Sequence, residues 1–181
     1  LDLSLLFSGT DTTLVFKDVE VHSQDQRLTI HADGGITHLN VPQDLAVRFH
    51  VKDMLAKGDI KEEIISMFAG KKLMMKQLKN LGDLRYTGDF AILWKREEFQ
   101  GNVGTAAGSL NFNFAIDEND KYITGSANTG RIHLGKVLEM KDVGDVALNA
   151  NFKIDIHKER TAQMRKKYGG KMPIGNVNAV V

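Results

Sequence analysis

Apolar and polar residues alternate along most of the chain. Leu110, Phe112, Phe114 and Ile116 occupy every second position, with Asn111, Asn113 and Ala115 between them. Val146, Leu148, Ala150, Phe152, Ile154 and Ile156 repeat the pattern against Ala147, Asn149, Asn151, Lys153 and Asp155. Successive strand residues point to opposite faces, so a period of two predicts strands with one apolar and one wet face. Leu45, Val47, Phe49 and Val51 make a third such stripe. Leu84, Tyr86, Gly88, Phe90, Ile92 and Trp94 make a fourth, in which Leu93 breaks the alternation and is expected to face outward. Shorter strands are expected over Leu1–Phe7, over Leu14–His22 with a bulge at Lys17-Asp18, and over Leu28–Ala32. Asp33-Gly34-Gly35 reads as a hairpin turn before a short strand, Ile36–Val41, that Pro42 stops. Lys95–Glu98 and Asp117–Asp120 read as turns around a strand from Phe99, and Tyr122–Arg131 follows as another strand.

The period changes between Asp53 and Leu81. Met54, Leu55, Ile60, Ile64, Ile65, Met67, Phe68, Leu73, Met74, Met75, Leu78 and Leu81 recur at spacings of three and four, which is helical. Asp59 is read as the N-cap with Glu62 three residues on, Gly70 as a break between two helices and Gly82 as the stop. This apolar stripe is wide enough to cover a sheet face or close its end. Leu134–Met140 reads as a short helical turn, closed by Asp142-Val143-Gly144. His157–Pro173 is rich in Lys and Arg and reads as a long loop. It is either solvated or a contact for an anionic headgroup or a partner. The organisation is then one segment: strands over 1–52, a helical insert over 53–82, strands over 83–156, a basic loop over 157–173 and a strand over 174–181. The fold class is mainly β (α+β), an antiparallel sheet with one helical insert.

Composition narrows the function classes. The chain has 181 residues, about one domain, and 42% hydrophobic content can supply a core. Lys and Arg number 24 against 23 Asp and Glu. A net charge of +1 provides no field that argues for nucleic acid or an anionic membrane surface. Without cysteine there is no disulfide framework, zinc–thiolate site or thiol nucleophile. No apolar run approaches the ~18 residues of a membrane span. Both ends, LDLSLLFSGTD and GNVNAVV, run on an alternating pattern. The sequence is therefore expected to be a segment of a longer chain, with any anchor or targeting signal outside it.

Site motifs are set aside on spacing. Gly101, Gly104 and Gly108 are wrongly spaced for a dinucleotide fingerprint, and Ala69-Gly70-Lys71-Lys72 lacks the outer residues of a phosphate loop. Asp117–Tyr122 starts like a calcium loop but has Lys121 at the fifth position and Tyr122 in place of the turn glycine. No serine sits in a G-x-S-x-G elbow. His22, His31, His38, His50, His133 and His157 are scattered, with no H-x-x-x-H pair. His31 and His50 lie on the polar parity of their strands and read as surface residues rather than metal ligands. Nothing here argues for an enzyme, a cofactor or a metal.

Gly88, Gly101, Gly104, Gly108, Gly125 and Gly130 fall within or beside the strands, where glycine weakens a sheet unless curvature or close approach requires it. They fit a sheet bent into a trough; the alternative is that they mark turns and bulges. With this frame three pieces become recognisable. They are Tyr86-Thr87-Gly88-Asp89-Phe90, the run Phe99–Leu110 (FQGNVGTAAGSL), and Thr124–Leu138 (TGSANTGRIHLGKVL) with Val143-Gly144-Asp145-Val146 after it. Together they resemble the repeats of the AsmA-like envelope proteins, the TamB-type members most closely. The resemblance covers about residues 84–156 well and the earlier strands loosely. It implies a long, taco-like antiparallel trough, apolar inside and polar outside. It also implies a place in the periplasm between the two membranes of diderm bacteria, with an inner-membrane anchor outside this sequence. The implied activity is non-catalytic: phospholipid transport between the membranes, or outer-membrane assembly together with assembly proteins. The implied partners are phospholipid acyl chains.

On that reading Leu110, Phe112, Phe114, Val146, Leu148, Phe152 and Ile154 line the lipid groove. A different reading gives the same residues to the closed core of a structural or interaction domain. A weaker one gives them to a closed barrel around one small ligand. Alternation is common to all three.

Overall fold

The computed structural model describes residues 1–69, 79–140, 142, 144–157 and 175–180. Ten strands follow one another in space in the order in which they occur in the chain. They are β1 (Asp2–Gly9), β2 (Thr13–His22), β3 (Leu28–Thr37), β4 (Ala46–Ala56), β5 (Leu84–Leu93), β6 (Arg96–Thr105), β7 (Gly108–Asp117), β8 (Tyr122–Ile132), β9 (Val146–Asp155) and β10 (Gly175–Val180). Every neighbouring pair is antiparallel. The mainly β class expected from the alternation is what the chain adopts. Two helices are described: α1 (Gly58–Ala69), between β4 and β5, and the one-turn α2 (Leu134–Leu138), between β8 and β9.

The hairpin expected at Asp33-Gly34-Gly35 does not form. β3 runs through all three residues and pairs with β2 on one side and β4 on the other. The reason is a feature of neighbouring strands. The bulge anticipated at Lys17-Asp18 is present, with Asp18 at φ 50, and it removes the Asp18 N–H from the ladder. The Asp33 carboxylate accepts that N–H at 2.8 Å and the Lys52 ammonium at 2.7 Å. Lys52 lies in a matching irregularity of β4. Gly34 is paired on both sides within β3, and the position takes glycine because a Cβ there would run into the Phe49 ring that lies over it. Asp and Gly, read locally as turn formers, here serve a bulge and a ring.

Three other boundaries move. Asp53–Ala56, assigned to the helical insert, complete β4, so the helix starts at Gly58. Asp59 is not the N-cap; it lies in the first turn, where its carboxylate accepts the Ile60 N–H and an ion pair from Arg27. Arg96–Glu98 are strand rather than turn, because Trp94 and Lys95 alone reverse the chain, Lys95 at φ 57. Gly82, at φ 70, does stop a helical stretch that includes Lys79 and Asn80. The Gly70 break and the basic loop beyond His157 lie outside the described residues, as does Val143.

The described part of the insert is anchored at one end of the sheet. The Lys61 ammonium is buried and donates to the Gly82 carbonyl at 2.6 Å. Lys57 N–H donates to the Arg27 carbonyl and Ala106 N–H to the Leu81 carbonyl, tying the insert to the β2–β3 and β6–β7 turns. Asn80 reaches the Val137 carbonyl at 3.0 Å. Ala56, Leu84, Ala107 and Val137 are buried around these links.

Elsewhere the sheet is thin. Most buried apolar residues are alanines, and among the described residues no large side chain is fully buried. The chain exposes 12140 Å². A compact monomer of its mass would expose roughly 8,700 Å². The edge strand β1 leaves Leu3, Leu6 and Phe7 between 64% and 72% exposed.

Candidate functional site

Register, unlike parity, connects strands. Phe114 stands opposite Phe99 on β6 and Gly125 on β8, and Gly125 stands opposite Phe152. In the other direction Phe99 pairs with Phe90, Phe90 with Phe49, Phe49 with Gly34 and Gly34 with Phe16. One row of rings therefore crosses from β2 to β9 on a single face. Phe16–Phe49, Phe49–Phe90 and Phe99–Phe114 have centroids 5.9, 5.4 and 4.9 Å apart. Phe16 and Phe49 touch across Gly34, which explains the missing side chain there. Tyr86 and Phe112 meet in the same way, 6.1 Å apart across Gly101. The Tyr86 hydroxyl donates to the Gln100 carbonyl at 3.1 Å, and burial of the ring raises its pKa.

All seven residues expected to line a groove lie on this face and are half-buried. Leu110 and Leu148 face each other across Thr129, and Phe114 and Phe152 across Gly125. Ile154 follows Ile123, and Val146 stands opposite Ile132. Phe112 shares its row with Ala127 and Ala150. Between the large residues of β7 and β9, β8 thus offers Gly125, Ala127 and Thr129. The rings of Phe112 and Phe114 lean towards β5 and β6, where their contacts are. This small-residue stretch of β8 runs between larger side chains on β7 and β9, two strand spacings or about 10 Å apart. At its end the Thr129 hydroxyl accepts the Leu148 N–H at 2.9 Å, fixing Leu148 where the ladder shifts register. The alternation identified the seven, but not Phe16, Phe49, Tyr86, Phe90 and Phe99 as members of the same surface. Their stripes were visible, but no local signal fixed the register between strands.

The opposite face is polar. Asp33, His50, Asp89, Gln100, Asn113, Ser126 and Asn151 form one row across it. His50 Nδ1 lies 2.6 Å from Asp89 Oδ1, and Gln100 donates to Asp89 Oδ2 at 2.9 Å. The Gln100 bond, then the His50 bond, holds the Asp89 carboxyl below the usual carboxylate range. A depression of about 820 Å³ opens here, walled by Arg48, His50, Arg96, Glu98 and Gln100 over Ala46 and Ala91. Mixed charges on an open floor define no reacting pair.

Further along this face Glu20, His22 and His31 bring their donor atoms within 4.8 Å of one another. The sequence reading treated the histidines one at a time and missed this cluster. The signal was present as Glu20 and His22 two apart on one strand, with His31 opposite Glu20 on the next.

No protein-family profile, curated protein or solved structure matches the chain.

Proposed function

We propose that this chain is a segment of a non-catalytic lipid-conducting trough of the AsmA-like, TamB-type kind. It would act in the periplasm of a diderm envelope and be held to the inner membrane by a part of the protein outside this sequence. One observation carries the reading. A continuous apolar face crosses the sheet from β2 to β9, and its rings stay partly exposed rather than fully buried. Such a surface gains about 25 cal/mol per Å² when an acyl chain removes it from water. A phospholipid chain is proposed to lie along β8, between Leu110, Phe112, Phe114, Val146, Leu148, Phe152 and Ile154. Outer-membrane assembly proteins are the partners this family resemblance suggests. The closed-core reading has less support, since a core would bury these rings fully.

Leu148→Arg tests the proposal. On an open face the new guanidinium stays hydrated while its stem lies along apolar surface. In a closed core it would be buried unpaired at a cost of several kcal/mol. Purified wild-type chain is expected to release phospholipid on organic extraction. The variant is expected to keep its thermal midpoint within a few degrees and to release much less. A variant that no longer folds, or a wild-type chain that releases no lipid, overturns the reading.

A further inference from the structure

We propose that Glu20, His22 and His31 form a binding site for one divalent transition ion of the Zn²⁺ type, on the polar face at the β1–β3 edge. His22 Nε2 lies 3.6 Å from Glu20 Oε2, and His31 Nε2 lies 3.9 Å from Glu20 Oε1. Two donors on a tetrahedral zinc ion, with bonds of about 2.0–2.1 Å, are roughly 3.3 Å apart. All the donor atoms lie within 4.8 Å of one another, so the side chains need to close by up to about 1.5 Å around an ion, a movement that exposed side chains can make. The imidazoles stand edge to face, with centroids 5.8 Å apart.

The backbone sets this arrangement. β2 places Glu20 and His22 two residues apart on the polar face, just after the bulge at Asp18. The β2–β3 pairing sets His31 directly opposite Glu20. Two carboxylates flank the cluster on the same face: Asp2 is the register partner of His22, and Asp53 is that of His31. Cross-strand partners stand close enough for long or charged side chains to interact. These acids can complete the coordination, hold the imidazoles by hydrogen bonds and balance the charge of the ion. Two nitrogen donors and one oxygen donor select zinc, copper or nickel over calcium or magnesium, which take oxygen ligands. The other close pairs among the described residues, His50 with Asp89, His133 with Asp145 and His157 with Asp155, present one nitrogen each. A bound ion would pin β2 to β3 next to the exposed edge strand.

Isothermal titration of the purified chain with zinc chloride, with no other ligand present, tests the site. One saturable equivalent is expected, together with a zinc-dependent rise in thermal midpoint. His22→Ala, His31→Ala and Glu20→Gln should each weaken binding roughly tenfold or more, and Asp53→Asn less. His50→Ala and His133→Ala should leave it unchanged. His31→Gln serves as a second variant should the alanine form fail to fold. Cobalt substitution gives an independent readout, a visible band that the His22 and His31 variants lose. No saturable binding, or binding that survives loss of both His22 and His31, overturns the proposal.

Discussion

Phe99, Phe114 and Phe112 touch ring to ring at 4.9 and 5.7 Å on the apolar face. Residues of the same strands on the polar face behave differently. Asn102 and Asn111 share a hydrogen bond of 2.8 Å, and Gln100 reaches across to Asp89. The backbone is common to both faces, and so is the spacing of the strands. The first face is held by contact area, which water cannot replace. The second is held by exposed hydrogen bonds and ion pairs that water competes for, each worth little in net terms. The stability of this single-layer sheet should therefore reside almost wholly on one side of it.

Three experiments probe that asymmetry, in order of expected effect. Gly34→Val puts a branched side chain where a first carbon would already lie 2.3 Å from the Phe49 ring and 2.5 Å from the Arg48 carbonyl. Strand propensity alone would favour valine. Overpacking against the ring and a neighbouring strand should win, with a loss of about 3 kcal/mol or more in urea unfolding. An unchanged or raised midpoint would show that the ring does not lie over Gly34. Next comes a matched pair, Phe114→Ala against Asn113→Ala. The first removes a half-buried ring from two neighbours and should cost about 2 kcal/mol. The second, one residue away on the wet face, should fall within about 0.5 kcal/mol. Equal losses would end the distinction between the faces.

The smallest effect is electrostatic. Asp89 has a depressed pKa, and so does Asp117, whose carboxylate accepts the backbone N–H groups of Asp120 and Asn119 and faces Arg96. In the β2–β3 turn the Ser23 hydroxyl and then Arg27 bring Asp25 to about 2. A carboxylate whose folded pKa lies below its unfolded value stabilises the fold above the unfolded pKa. That contribution fades as pH falls through the folded value. Stability should thus be level above about pH 5 and decline below about pH 4. Asp89→Asn should flatten part of the decline and lower the neutral-pH midpoint by a matching small amount, since the amide resembles the protonated carboxyl. A decline of the same steepness in Asp89→Asn would remove Asp89 from the account.

Much of this sheet was legible because parity is a local property. The stripes of β4, β5, β7 and β9 each declare which residues share a face, so the seven residues expected to line a groove fall together on one face. The helix after β4 was legible from its change of period. Errors arose where a residue answers to a neighbour distant in sequence. Asp33 and Gly34 look like a turn until the Asp18 bulge and the Phe49 ring are placed beside them. Arg96–Glu98 look like a charged loop until Asp117 and Ile116 pair with them. The Glu20–His22–His31 cluster depends on a register that the bulge resets. No single strand encodes it.

The strict order of the strands bears on how the chain reaches this structure. Each strand finds its template in the one just made, so a growing chain can zip from one end without waiting for its far end. Low sequence separation of partners favours fast folding. It also lets a sheet lengthen by the addition of hairpins without disturbing those already in place, as in other quasi-one-dimensional architectures. The longest gap between paired strands, from Ala56 to Leu84, carries a loop-closure cost that grows only with the logarithm of its length. Pauses in assembly should therefore fall at that junction, with β1–β4 and β5–β9 forming as separate cooperative units.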